Sequence, residues 1–182
     1  KNGTLYVTTK RGVFKYDGEW HNISPAGDIE YSGLGVKPDD SDFVICSERH
    51  GLDDRMFRST DGGATWETLT VHKHFDVPWW PEDHFNASTS TFIFDPLQPQ
   101  SLWLCDWYGI WNSPDITVSA PHWYAHEEGH EEIVSFVLKC PPKGPYLFSG
   151  VADNDGFAHT DLDDYPQQKF GVPGFQDARG IA

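Results

Sequence analysis

Two carboxylates lie close together between Ala152 and Phe157, where Asp153 and Asp155 are separated by one residue. A positioned carboxyl group can give a proton to a reacting group or take one from it. Two like charges so near each other disfavour joint ionisation, which favours a proton on one of the pair. The segment is therefore a candidate for acid–base chemistry. The alternative is structural, because aspartate is also a common turn residue.

Two aromatic pairs occur in polar surroundings. Trp79 and Trp80 precede Pro81-Glu82-Asp83, and paired tryptophans in a polar loop are poor candidates for a core. Trp107 and Tyr108 follow Asp106 between two predicted strands, where either ring can face a cleft or cap a sheet. Aromatic faces of this kind bind the apolar faces of ligands.

Metal chemistry is not predicted. The segment from His122 to Glu132 is rich in histidine and glutamate, but its spacing does not match a helical His-Glu-x-x-His site. We expect a solvated loop there. The cysteines Cys46, Cys105 and Cys140 form no Cys-x-x-Cys pair, so we expect small buried side chains with neither a zinc site nor a redox role, and no cofactor.

The segment from Ser59 to Trp66 reads Ser-Thr-Asp-Gly-Gly-Ala-Thr-Trp and matches the pattern Ser-x-Asp-x-Gly-x-Thr-Trp over its full length. Asp61 can accept hydrogen bonds from the turn that follows it, Gly63 permits unusual backbone angles, and Trp66 can bury its ring between strands. This pattern resembles the Asp box, in which Ser59, Asp61, Gly63, Thr65 and Trp66 have structural roles. It indicates architecture rather than chemistry.

The composition favours an all-β protein. The chain has 182 residues with 8 Trp, 7 Tyr, 12 Phe, 17 Gly and 13 Pro, which is typical of short aromatic strands separated by tight turns. The formal net charge of -15 argues against nucleic acid and against anionic membranes as partners. No run of residues is long and apolar enough to suggest a membrane span.

A strand–turn–strand pattern recurs along the chain. The clearest unit has strands at Leu34–Asp40, Phe43–Cys46, Arg55–Arg58 and Trp66–Leu69. Four such antiparallel strands make one blade of a β-propeller. We expect blade pieces at residues 1–24, 32–70, 90–124 and 133–170, and the start of a next blade at 178–182 with a short strand at Arg179–Ile181.

These pieces amount to about three and a half blades, whereas closed propellers have about four to eight. We therefore expect a partial propeller, part of a larger ring of about seven blades. The alternative is a four-bladed ring closed by strand exchange.

Three glycosylation sequons are compatible with an extracellular address. They begin at Asn2, Asn22 and Asn86. Their support is weak, because short sequons also arise by chance.

The wider pattern resembles glycoside hydrolase family 74, which contains xyloglucanases and oligoxyloglucan cellobiohydrolases. The ordered segments that carry the resemblance are Gly3–Thr8, Phe57–Trp66, Gly129–Glu132, Pro141–Pro145 and Ser149–Phe157. Together they cover almost all of the chain, with a gap at residues 71–85. The family implies two seven-bladed propellers that face one another across a cleft.

The resemblance also implies an activity, the inverting hydrolysis of β-1,4-glucan backbones such as xyloglucan, a plant cell-wall polysaccharide. Asp153 matches the family's general acid, whose motif is Gly-Asp-x-Gly-Gly-Phe. The general base comes from a Thr-Asp-x-Gly-Gly motif that this chain lacks, so the chain alone is expected to be inactive. Its partners would be the remaining blades or the second propeller.

This sequence departs from the family motif at Ala152 and Asp155, where the family has glycine. Asp155 is therefore either an alternative acid or a charge that modulates Asp153. Sugar rings have apolar faces, so Trp79, Trp80, Trp107 and Tyr108 are candidate substrate contacts. His159 also has a counterpart in the family and could orient a carboxylate or a sugar hydroxyl.

Two other functions keep the propeller. A non-catalytic Asp-box propeller would act as a carbohydrate-binding or protein-interaction module, and the absence of a Thr-Asp-x-Gly-Gly motif upstream would favour it. A sialidase would need a cluster of arginines to hold a carboxylate, and the sequence suggests no such set.

Overall fold

The computed structural model describes residues 3–171, 174 and 176–182. The strands in these residues are β1 (Leu5–Thr9), β2 (Gly12–Tyr16), β3 (Trp20–Asn22), β4 (Tyr31–Lys37), β5 (Asp40–Glu48), β6 (Met56–Ser59), β7 (Glu67–Thr68), β8 (His72–His74), β9 (Thr91–Phe94), β10 (Leu102–Cys105), β11 (Ile110–Ser113), β12 (His122–Ala125), β13 (Ser135–Lys139), β14 (Leu147–Val151) and β15 (Gly156–His159). A short 3₁₀ helix spans Glu82–His84. The all-β prediction is confirmed.

The strands form four sheets with the orders β1-β2-β3, β4-β5-β6-β7, β8-β12-β11-β10-β9 and β13-β14-β15. Apart from β8, strands that follow one another within a sheet pair antiparallel and are joined by short connections. This meander is the arrangement of a propeller blade. The number of blades stays a prediction.

The chain divides into two compact units. The first unit comprises Lys1–Phe75 and Pro81–Glu127 and contains the first three sheets. The second comprises Asp76–Trp80 and Glu128–Ala182 and contains the sheet β13-β14-β15.

Aromatic and aliphatic side chains fill the interior of the first unit. Val13, Tyr31, Cys46 and Phe57 form one buried cluster that joins strands of the first two sheets. In the third sheet Trp111 is completely buried, and its ring lies 5.0 Å from that of Phe85. Burial of a large apolar side chain contributes about 1.5–3 kcal/mol, so these residues stabilise the packing of the sheets.

The third sheet differs from a simple four-stranded blade because β8 adds to it in parallel with β12. An edge strand has unpaired backbone groups, and β8 covers those of β12. The rings of His74 and His122 stack at 5.1 Å, and His74 Nε2 lies 2.8 Å from His122 Nδ1. The expectation of a solvated loop from His122 is therefore wrong at its start, where β12 forms.

The short strand expected at Arg179–Ile181 is absent, so that prediction is also wrong. The nearby Asp177 makes only an isolated parallel bridge to Asp155. Ala178 N donates to Val151 O of β14 at 3.2 Å, but the segment 178–182 forms no ladder of paired backbone groups, which a strand needs.

Among the described residues, no helix is long and apolar enough to cross a membrane.

Candidate functional site

Asp153 lies on the turn that joins β14 to β15 in the second unit. Its φ is 60°, in the left-handed region that aspartate tolerates better than most residues. The side chain is exposed, and its backbone amide donates to Asp177 Oδ1 at 3.1 Å. In the described part of the chain, no hydrogen bond or ion pair engages the Asp153 carboxylate. This carboxylate is therefore held in place through its backbone while its oxygens stay open to a ligand.

Asp155 has a different environment, although it lies only two residues away. It is 4% exposed, and its carboxylate accepts a hydrogen bond from the backbone amide of Gln176. Its own backbone amide donates to Gln176 O at 3.2 Å. These contacts join Asp155 to the segment after the sheet, so its carboxylate supports the turn.

Trp79 and Trp80 are buried, at 7% and 8% exposure, which corrects the expectation that they lie on the surface. The Trp79 ring lies 5.3 Å from the Trp80 ring and 4.9 Å from the Phe157 ring on β15. The polar residues that follow them in the sequence suggested exposure, but a loop can place its aromatic rings against a sheet. The pair is thus fixed against the strand that follows Asp155.

The two tryptophans line a groove of about 420 Å³ in the second unit. Asp155 and the segment from Gln167 to Gly171 line the same groove. Phe170 N donates to Gly156 O at 2.7 Å, which fixes this segment beside the turn of Asp153. Sequence reasoning missed Gln167, Gln168 and Lys169 because they belong to an irregular loop without a motif.

His159 ends β15 and is half-buried. Its Nε2 lies 2.8 Å from Ser149 Oγ on the neighbouring strand. Burial lowers the pKa of His159 below its ordinary value of 6.5, which favours the neutral ring. A neutral imidazole paired with a hydroxyl can orient a neighbouring polar group without adding a charge.

Trp107 and Tyr108 belong to the first unit, on the turn between β10 and β11. Trp107 is exposed, whereas the half-buried Tyr108 ring stacks on His84 with centroids 3.8 Å apart. Only Trp107 of this pair offers a free aromatic face.

The Asp-box segment forms a turn closed by side-chain hydrogen bonds. Asp61 Oδ1 accepts from Thr65 N at 2.8 Å and from Ser59 Oγ at 2.8 Å, while Asp61 Oδ2 accepts from Thr65 Oγ1 at 2.6 Å. Gly63 has a φ of 90°, and its amide donates to Ser59 Oγ at 2.8 Å. Trp66 Nε1 donates to Ile23 O at 2.6 Å, which joins the turn to the first sheet. Every group of the pattern is engaged in structure.

No group of three or more histidine, cysteine, aspartate or glutamate side chains within the described ranges is arranged to hold a metal ion. Cys46 is buried and burial raises the pKa of its thiol, but Cys105 and Cys140 are exposed. The expectation of buried cysteines is wrong for these two, because both stand where their strands meet solvent, at the ends of β10 and β13.

No family model matches the chain. A probable oligoxyloglucan-reducing end-specific xyloglucanase of Neosartorya fischeri is 29% identical over 202 residues, which cover 84% of this chain and 24% of the relative. A xyloglucanase of a Paenibacillus species is 26% identical over 99% of this chain and 22% of the relative. The crystal structure of a glycoside hydrolase family 74 enzyme from Niastella koreensis superposes with a TM-score of 0.77 at 26% identity, covering 91% of this chain and 28% of that one.

The chain is similar, in sequence and in fold, to glycoside hydrolase family 74. The resemblance drawn from the sequence motifs is thereby confirmed, and so is the propeller fold class. The chain spans only about a quarter of the length of these relatives. The similarity to family 74 therefore concerns about a quarter of the length of those relatives.

Proposed function

We propose that this chain is part of a secreted, inverting glycoside hydrolase that cleaves β-1,4-glucan backbones, with xyloglucan as the substrate. One observation carries the proposal. In a chain similar to xyloglucanases, Asp153 presents an exposed carboxylate on a fixed turn between β14 and β15, where the family's acid motif matches.

In this proposal Asp153 is the general acid that protonates the departing glycosidic oxygen. The general base lies outside this chain and activates a water molecule on the opposite face of the sugar, as inverting enzymes require. The isolated 182-residue chain is then inactive. Trp79 and Trp80 would support a sugar subsite from beneath through their small exposed edges, and Gln167 and Lys169, which line the same groove, would bind hydroxyl groups.

The test compares hydrolysis of xyloglucan by the complete protein and by three variants. Asp153→Asn should lower kcat by about 10²–10⁴-fold, the usual contribution of a general acid. Asp155→Asn should retain far more activity, because that carboxylate supports the turn. Asp163→Asn, an exposed aspartate in the same unit, is the matched control and should be near wild type. Near-normal turnover by Asp153→Asn would disprove the assignment.

The stereochemistry of the first product gives a second readout. Inversion at a β-linkage releases the α-anomer first, and NMR of the fresh product distinguishes it from the β-anomer. The complete wild-type protein could instead bind xyloglucan without hydrolysing it. That result would show that the protein is a non-catalytic binding module.

A further inference from the structure

Trp107 is an exposed ring on a turn that is otherwise closed. It is 66% exposed, whereas Asp106 directly before it is 7% exposed. A large apolar ring left in water forgoes the free energy of burial, so a rigid turn that displays one is suited to binding an apolar ligand face.

The Asp106 carboxylate fixes the backbone of the two residues that follow Trp107. Asp106 Oδ1 accepts from Tyr108 N at 3.0 Å and from Gly109 N at 2.8 Å. The Asp106 amide donates in turn to Gly109 O at 3.0 Å. The two amides that follow Trp107 are therefore tied to one buried side chain, and a backbone hydrogen bond closes the turn.

A third tie comes from the segment that precedes β9. Trp107 N donates to Ala87 O at 2.8 Å, and Ala87 is completely buried. The neighbouring Asn86, also completely buried, accepts from Ser47 Oγ at 2.9 Å and from Thr89 Oγ1 at 2.6 Å. The backbone of Trp107 is thus anchored to the second sheet through Asn86.

We propose that Asp106 is a positioning residue that holds the Trp107 indole as a platform for a sugar ring of the bound glycan. The inference rests on the proposed function, and it assigns a role in binding to a carboxylate that takes no part in bond cleavage. Tyr108 does not share this role, since His84 already covers its ring.

The protonation state of Asp106 gives the proposal a distinctive readout. Burial raises its pKa from 3.8 to about 6, against the lowering effect of the Gly109 and Tyr108 amides. Titratable groups on the elements that contact this turn include Cys105 and Tyr108 on the turn itself, His84 stacked on Tyr108, Glu127 and His126 beside Ile110, and Asp54 beside Ser88. An ionised carboxylate accepts hydrogen bonds more strongly than a neutral one, so the turn is firmest above pH 6.

Binding and stability should then respond to pH in opposite directions. The folded-state pKa lies above the ordinary value, so ionisation of Asp106 costs the fold stability as pH rises from about 4 to about 6. The same ionisation should strengthen sugar binding. A role in stability alone would move both quantities together.

The experiment measures the affinity of the complete protein for a xyloglucan oligosaccharide at pH 5 and pH 7.5, in an Asp153→Asn background that prevents hydrolysis. Trp107→Ala should weaken binding about 10-fold, and the exposed Trp20 on β3, changed to alanine, is the matched control. Asp106→Asn should weaken binding about 3- to 10-fold at pH 7.5 and make it independent of pH. Exchange of the Tyr108 and Gly109 amide protons, which hydrogen-bond to the Asp106 carboxylate, should be faster in Asp106→Asn at pH 7.5, while the free energy of unfolding should not fall.

Three results would overturn the inference. Trp107→Ala could bind as well as Trp20→Ala, or Asp106→Asn could bind as the parent does. Asp106→Asn could also lose binding together with a lower free energy of unfolding, which would make its role structural. Any of these leaves the proposed function intact as long as Asp153→Asn abolishes hydrolysis, whereas failure of every form to bind the oligosaccharide overturns both.

Discussion

Aspartates on turns have distinct roles in this protein, and their hydrogen-bond donors decide which. Asp61 receives hydrogen bonds from Thr65 and Ser59, so its oxygens are satisfied within its own turn. The Asp153 amide is bound, but its carboxylate is left to solvent. An unsatisfied carboxylate on a fixed backbone is suited to chemistry, whereas a satisfied one is suited to structure.

The first prediction concerns Asp61. Hydrogen bonds from the Thr65 hydroxyl, the Thr65 amide and the Ser59 hydroxyl lower its pKa from 3.8 to about 2. The stabilisation is present above the ordinary pKa and is lost as pH falls from about 4 to about 2. Acid unfolding followed by circular dichroism should show a smaller loss of stability in Asp61→Asn than in wild type over that pH range. Asp83→Asn, an exposed aspartate in the same unit, should keep the wild-type slope; equal slopes in Asp61→Asn and wild type would contradict the assignment.

At the scale of elements, β6 is buried along its whole length, including Arg58. Arg58 Nη1 donates to Ile116 O at 2.6 Å and to Val118 O at 2.7 Å, and its Nη2 pairs with Glu67 at 2.7 Å. The side chain therefore joins β6 of the second sheet to the loop that precedes β12 of the third.

The second prediction follows from these bonds. Arg58→Ala should lower the free energy of unfolding by about 2–4 kcal/mol, because the buried Ile116 carbonyl and the partly buried Val118 carbonyl lose a charged donor. Arg55→Ala is the matched control, since its ion pair with Glu48 is half-exposed and pairs of that kind contribute about 0–1 kcal/mol. Urea unfolding measures both. A similar decrease in the free energy of unfolding in the two variants would show that the hydrogen bonds to Ile116 and Val118 contribute little.

At the scale of the whole molecule, the sequons differ in accessibility. Asn22 is exposed, whereas Asn86 is completely buried and donates to Asp54 O. Asn2 lies outside the described residues. Asn22 and Asn86 are therefore unequal as sites for a glycan, although the sequence presents them alike.

The third prediction applies to protein produced through a eukaryotic secretory pathway. A glycan on Asn86 has no room in the folded chain, so mass spectrometry of the folded product should find Asn86 unmodified and Asn22 available for modification. Asn22→Gln should remove the glycan at that position. Folded protein that carries a glycan at Asn86 would show that the segment from Asn86 to Ser88 is not packed as described.

The local patterns that predicted the architecture from sequence depend on residues close together in the chain. The Ser59 to Trp66 turn is closed by contacts within a few residues, and hairpins such as β14–β15 follow from alternating apolar runs separated by turn residues. For the same reason Asp153 could be placed on its turn, and the similarity to family 74 could be stated from motifs alone.

Long-range packing decided which side chains are buried and which are exposed, because burial and hydrogen-bond partners depend on residues far apart in the chain. The sequence leaves Asp155 as an alternative to Asp153, but the contact with Gln176 holds the Asp155 carboxylate in structure, while that of Asp153 stays open. The polar residues beside Trp79 suggested exposure, yet the ring packs on Phe157. The sequence by itself determined the fold class and the candidate acid, and only the tertiary structure decided which rings and carboxylates are exposed and which are buried.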